Sequence, residues 1–225
     1  MPHILVKILD WSEVWALLIP LVVLLKRKNQ RAYLVPVIAY IWIALPLNIF
    51  QDIIADFRQV YSFPSWLQTN NYVYNIQSIA RLICFAFFFV RLNQSFLDKY
   101  KIPFYLICLL IIVVDFIFFE DFFRVKSFSS FLLAFESAIL LFHCLQFYLF
   151  KLQEEDNNWN QKPDFWVVTG LSIYVTFNFF YFLFYTTLIE NGHTQFVMSM
   201  WYLHNVTYII LCIFIAKAFY AARLQ

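Results

Sequence analysis

Seven stretches of this sequence are each long and apolar enough to cross a lipid bilayer as a helix, which needs about 20 mostly apolar residues. They cover residues 7–25, 33–54, 72–90, 103–119, 129–149, 165–189 and 195–221. Apolar residues run through them without the alternation that marks membrane β-strands. The sequence therefore predicts an all-α membrane protein, a single seven-transmembrane-helix bundle over residues 1–225.

The composition excludes the common alternatives. Hydrophobic residues make up 63% of the chain and charged residues 13%, against about 45–50% and about 25% in soluble domains. One soluble core of this size could not bury so much apolar surface. The chain holds 2 Gly and 4 Cys, too few for a collagen-like repeat or a disulfide scaffold. The cysteines have no CxxC spacing, which predicts small buried apolar residues.

The basic residues predict the orientation of the bundle. Eleven Lys and Arg fall in the segments predicted to be inside and four in those predicted to be outside, which places the N-terminus outside and the C-terminus in the cytoplasm. The first span is the weakest, because Asp10 and Glu13 must enter the membrane to complete it. The KRKNQR segment at residues 26–31 follows that span and favours an uncleaved anchor over a signal peptide. We therefore expect a multi-pass protein of the cell inner (plasma) membrane.

Polar groups inside the spans are the candidates for function, because they are costly in a bilayer. Counting about 1.5 Å per residue from the cytoplasmic charges places Glu13, Asp115, Glu136, Asn178 and His204 at about 20–22 Å, with Arg81 just beneath them at about 15 Å. The predicted ligand-binding residues are Glu13, Asn75, Arg81, Asp115, Glu136, Tyr174, Asn178, Trp201, His204 and Asn205. The excess of carboxylates over the guanidinium favours a small cation, a zwitterion or a proton as the ligand. Histidine among carboxylates is a pH-responsive group.

The same residues fit a second interpretation, in which no ligand enters. Arg81 would pair with Glu136 or Asp115, and the other polar groups would hold the helices together. Catalytic and metal motifs such as GxSxG, HExxH and HxxxH do not occur in the sequence. No catalytic residue, metal or cofactor is therefore predicted. The net charge of +2 follows from the membrane topology and does not indicate nucleic acid as a partner.

Four short motifs lie in spans three, five, six and seven: YNI, a single Glu, FWxxxGxxIY and WxxHN. With them the chain resembles a group of small seven-helix membrane proteins of Bacteroidota over about the last two-thirds of its length. The matching positions are Tyr74, Asn75, Ile76, Glu136, Phe165, Trp166, Gly170, Ile173, Tyr174, Trp201, His204 and Asn205. Similar seven-helix regions occur as sensor modules of histidine kinases, so the resemblance implies a sensory role.

The loops between the spans are too short to hold a soluble output domain. We therefore expect a receptor- or sensor-like signalling subunit with an outer-leaflet ligand or proton site, surrounded by membrane lipid. Its signal would reach a cytoplasmic or membrane partner through the segments at residues 26–31 and 154–156. Two alternatives stay open: a proton-coupled carrier for a small cationic or zwitterionic solute, and a structural subunit of a membrane complex.

Overall fold

The computed structural model describes residues 3–27, 29–57, 69–92, 101–118, 122, 129–153 and 159–222. In this part of the chain all regular structure is helical, which confirms the predicted all-α class. The helices are α1 (His3–Asp10), α2 (Ser12–Lys26), α3 (Val35–Phe57), α4 (Asn71–Arg91), α5 (Lys101–Phe118), α6 (Ser130–Gln153), α7 (Pro163–Glu190) and α8 (Thr194–Ala221). Short 3-10 turns at Ala32–Leu34 and Trp159–Gln161 lead into α3 and α7.

Five helical segments are long and apolar enough to cross a membrane. They are Ala32–Phe57, Asn71–Arg91, Ser130–Gln153, Pro163–Glu190 and Thr194–Ala221. The predicted span 103–119 falls on the shorter apolar helix Pro103–Phe118. The predicted span 7–25 falls on two helices that meet at Trp11, where φ is −87° and ψ is 8°. Length and composition thus support five crossings directly, and the other two predicted spans are short helices.

Six helices form a closed ring in the order α2, α3, α4, α6, α7 and α8, with α8 packed against α2. Helix α5 lies outside this ring, where its Tyr105 hydroxyl is 2.9 Å from Nε2 of His143 on α6. Helix α1 packs against α8. The ring therefore brings the first and last helices together, and its interior is where polar side chains from several helices can meet.

Both glycines of the chain shape the α7–α8 pair. Gly192 has a φ of 78°, and its N–H donates to the carbonyl of Ile189 at 3.0 Å, while that of His193 donates to Leu188 at 2.9 Å. These bonds form a Schellman motif, which ends α7 at a left-handed glycine. Deeper in the bundle, a Cβ at Gly170 would lie only 2.6 Å from Cβ of Phe214. Glycine therefore allows the two helices to approach closely.

The outside of the bundle carries large apolar side chains. Phe87, Leu110 and Ile117 are 58%, 61% and 67% exposed, and many others resemble them. Such a continuous apolar surface is rare on soluble monomers, and lipid chains are its natural surroundings. The four cysteines lie buried with free thiols, as expected for small apolar residues. These features are those of a multi-pass membrane protein.

Candidate functional site

A buried ion pair joins α4 to α6. Nε of Arg81 donates to Oε1 of Glu136, and Nη2 donates to Oε2 at 2.8 Å. The hydroxyl of Ser78 donates to the same Oε2 at 2.5 Å. Arg81 is 5% exposed and Glu136 is 0% exposed. Two parallel bonds between charged groups are the strongest form of this interaction, so the pair fixes α4 against α6.

A second buried pair joins α2 to α8. Nε2 of His204 lies 3.0 Å from Oε1 of Glu13, and its Nδ1 lies 2.6 Å from Oδ1 of Asn178 on α7. Gln51 on α3 donates to Oε2 of Glu13 at 3.3 Å, and Asn48 donates to the backbone carbonyl of Glu13 at 3.0 Å. Four helices therefore meet at this carboxylate and imidazole.

The partners of His204 define how many protons the second pair holds. Both ring nitrogens face oxygen atoms, and an amide or carboxylate oxygen only accepts hydrogen bonds. In this orientation of the Asn178 amide, both contacts are hydrogen bonds when Nδ1 carries a hydrogen and a second proton lies between Nε2 and Glu13. With both protons in place the pair holds one proton more than a neutral histidine beside an ionised glutamate, and its net charge is zero. Nδ2 of Asn178 has no hydrogen-bond partner among the described residues.

Aromatic rings surround the imidazole of His204. Trp201 stacks on it with a centroid distance of 4.9 Å and an angle of 17°. Tyr174 and Phe182 follow at 5.6 and 5.7 Å. Tyr174 also lies under the guanidinium of Arg81, at 5.0 Å from its ring centroid. Aromatic faces attract cations at such distances, and the ring of Tyr174 contacts both ion pairs.

A small cavity lies between the two pairs. The space open to the centre of a water molecule is about 10 Å³, which is about enough for one water. Its lining residues are Glu13, Tyr74, Gln77, Arg81, Leu133, Tyr174, Phe182, Trp201 and His204. Five of them belong to the predicted ligand-binding set. In this conformation the cavity has no room for a larger solute.

The other predicted residues divide into two groups. Glu136 and Asn178 stand next to the cavity through their bonds to Arg81 and His204. Asn75, Asp115 and Asn205 do not line it. Asn205 donates to the carbonyl of Leu9 at 3.0 Å, Asn75 accepts from the N–H of Ser129 at 3.1 Å, and Asp115 lies on α5 outside the ring. The side chains of Asn205 and Asn75 therefore hold segments of backbone in place.

The prediction missed two glutamines, Gln51 and Gln77. A signal for Gln77 was present in the sequence, because Tyr74, Gln77 and Arg81 follow the i, i+3, i+7 spacing of one helix face. From this helix, the predicted ligand-binding set contains Asn75 and Arg81 instead. A face of α4 can be recognised from spacing, but the spacing leaves open which face points into the ring.

Within the described ranges, no three His, Cys, Asp or Glu side chains form a group that could hold a metal ion. No protein-family model, curated protein or solved structure has significant similarity to this chain. The two ion pairs and the cavity between them are therefore the features that bear on function.

Proposed function

We propose that this chain is a receptor- or sensor-like signalling subunit of a membrane and that its input is a proton bound between Glu13 and His204. The observation that carries the proposal is the pair of oxygen atoms facing both ring nitrogens of His204. The predicted ligands are a cation, a zwitterion and a proton. Of these, the proton fits without any enlargement of the cavity.

Loss of the proton weakens the contact between α2 and α8. With Nδ1 still donating to Asn178, the lone pair of Nε2 faces the carboxylate oxygen of Glu13, and the two repel each other. Turning the Asn178 amide lets its free Nδ2 donate to Nδ1, so that Nε2–H can bond to Glu13 again. A net negative charge then remains buried, which is costly in a bundle interior. Rising pH therefore favours separation of α2 from α8.

Charged and titratable groups surround this pair on every neighbouring helix. They are Asp10 on α1, Asp52 on α3, Tyr74 and Arg81 on α4, Glu136 on α6, Tyr174 on α7, and Tyr208 and Cys212 on α8. Arg81 is the one cation of this group, and Glu136 neutralises it.

The separation of α2 from α8 can be measured in lipid nanodiscs. Spin labels placed at Val22 on α2 and Ile213 on α8, which are 50% and 48% exposed, report the distance by pulsed electron paramagnetic resonance. We expect longer distances as pH rises, with the ratio of the two states changing at most tenfold per pH unit for one proton. In Glu13→Gln the distance is independent of pH. The exposed Glu190→Gln variant is the matched control and behaves as the wild type.

Three results distinguish the proposal from its alternatives. A wild-type distance that does not change with pH contradicts proton input at this pair. Uptake of a cationic or zwitterionic solute into proteoliposomes, lost in Glu13→Gln, supports the carrier. An effect of Glu13→Gln on assembly with other subunits alone supports the structural role.

We also propose seven crossings in the inner (plasma) membrane, with the N-terminus outside and α5 as the fourth crossing. The distribution of basic residues supports this arrangement. Output to a partner chain then leaves from residues 26–31, whereas the segment at 154–156 lies outside the described residues. Single cysteines introduced at Asn29 and His193 should react with a membrane-impermeant thiol reagent from opposite sides. Labelling from the same side would show that α5 does not cross.

A further inference from the structure

We infer that the cavity between the two buried ion pairs binds one water molecule, which joins Arg81–Glu136 and Glu13–His204 into a single hydrogen-bonded network. The inference deepens the proposed function, on which its pH readout rests, because it assigns a group that regulates proton binding. The water site itself rests on the cavity and its unpartnered polar atoms and is independent of the proposed function.

Two polar atoms at this cavity point to a bound molecule. The hydroxyl of Tyr174 and Oε1 of Gln77 have no hydrogen-bond partner among the described residues. Both residues line the cavity, and they are 1% and 3% exposed. Buried polar atoms in native proteins almost always have a partner. One molecule in the cavity can supply both missing bonds.

The size and polarity of the cavity select water. A bound water needs about 10–15 Å³ of such space and two to four polar partners, and the cavity offers about 10 Å³. The water can accept from the Tyr174 hydroxyl and from Arg81, and donate to Gln77 and to the carboxylate of Glu13. The side chains of Leu133 and Phe182 close the remaining wall and leave no room for a second water.

This water regulates the proton at the second pair. A hydrogen bond donated to Glu13 stabilises the net negative charge left after proton loss more than it stabilises the neutral pair, so the water makes loss of the proton easier. The other groups that face the pair stay the same when the water is removed: Asp10, Asp52, Tyr74, Arg81, Glu136 and Tyr208. A change in the midpoint of proton loss therefore measures the contribution of the water.

The test compares the wild type with the double variant Tyr174→Phe/Gln77→Leu, which removes both unpartnered atoms. The matched control is Tyr148→Phe, which removes the hydroxyl of a half-buried tyrosine that lies 3.0 Å from Oγ1 of Thr169 and does not line the cavity. Infrared spectra in H₂¹⁶O and H₂¹⁸O detect a buried water by its shifted O–H band. Nitrogen-15 NMR of His204, assigned with His204→Gln, follows proton loss in nanodiscs.

We expect an isotope-sensitive water band in the wild type and in the control but not in the double variant. The midpoint of proton loss moves to higher pH in the double variant by about one to two units, the equivalent of one hydrogen bond to a charged group. The midpoint in Tyr148→Phe stays at the wild-type value.

Each result that differs from these expectations overturns a different statement. No band in the wild type overturns the water site, and the pH switch can still operate. A band that disappears in the double variant without a change of midpoint overturns the coupling. Absence of any titration in the wild type contradicts the proposed function, while the infrared comparison still decides the water site. If the double variant does not fold, Tyr174→Phe alone, which keeps the ring over Arg81, decides both readouts.

Discussion

Glu136→Gln is the substitution with the largest expected effect on the stability of the bundle. The amide has nearly the shape of the carboxylate but replaces one accepting oxygen by an NH₂ group, which only donates. Arg81 then loses one arm of its bidentate contact. The positive charge of Arg81 also stays buried between α4 and α6 without a counter-charge.

The expected cost follows from the geometry of the pair. Glu136 accepts two bonds from Arg81 and one from Ser78, and both ion-pair partners are at most 5% exposed. A hydrogen bond to a charged group contributes about 1.5–3 kcal/mol, and removing one partner of a buried pair costs about 3–5 kcal/mol. We expect a loss of about 3–5 kcal/mol in the free energy of unfolding, or roughly two to four orders of magnitude in the equilibrium constant.

The assay is reversible unfolding in mixed lipid–detergent micelles with increasing mole fraction of a denaturing detergent, followed by circular dichroism. The matched control, Glu190→Gln, alters an exposed carboxylate at the end of α7 and should change the stability by less than about 0.5 kcal/mol. In the double variant Arg81→Met/Glu136→Met, apolar side chains of similar length replace both charges. It should recover most of the loss.

Two results would refute this reasoning. A cost below about 1 kcal/mol for Glu136→Gln would mean that water or another group compensates the buried charge of Arg81. Coupled neighbours give non-additive changes in stability. If the double variant loses as much stability as Arg81→Met and Glu136→Met lose together as single variants, Arg81 and Glu136 do not stabilise each other.

Two further predictions concern the packing around the site. Gly170→Ala forces a methyl group against Cβ of Phe214, so we expect a loss of about 1–3 kcal/mol in the same unfolding assay; unchanged stability would contradict the close approach of α7 and α8. Asn205→Leu removes the bond to the carbonyl of Leu9, worth about 1 kcal/mol, and should speed amide hydrogen exchange in α1 alone. Faster exchange throughout the ring would show that Asn205 supports the whole bundle instead.

The helices of this protein were predictable because their signal is local. Runs of apolar residues with few charges predict helices at the observed places, and a fixed rise per residue estimates the depth of each polar group. Glu13, Arg81, Glu136 and His204 were selected in this way. Asp10 and Glu13 interrupt the apolar pattern on either side of Trp11, but this interruption does not determine whether the helix breaks there or continues.

The sequence did not determine which partner each polar group contacts, because this depends on how the helices pack. From depth alone, Arg81 could pair with Glu136 or with Asp115, and the ring selects Glu136 because α6 lies beside α4 while α5 stands outside. The contact of Glu13 with His204 joins residues 191 positions apart, and it exists because α2 closes the ring against α8. Apolar pattern and helical rise act along one segment, whereas the rotation of each helix and the order of its neighbours depend on how all the segments pack.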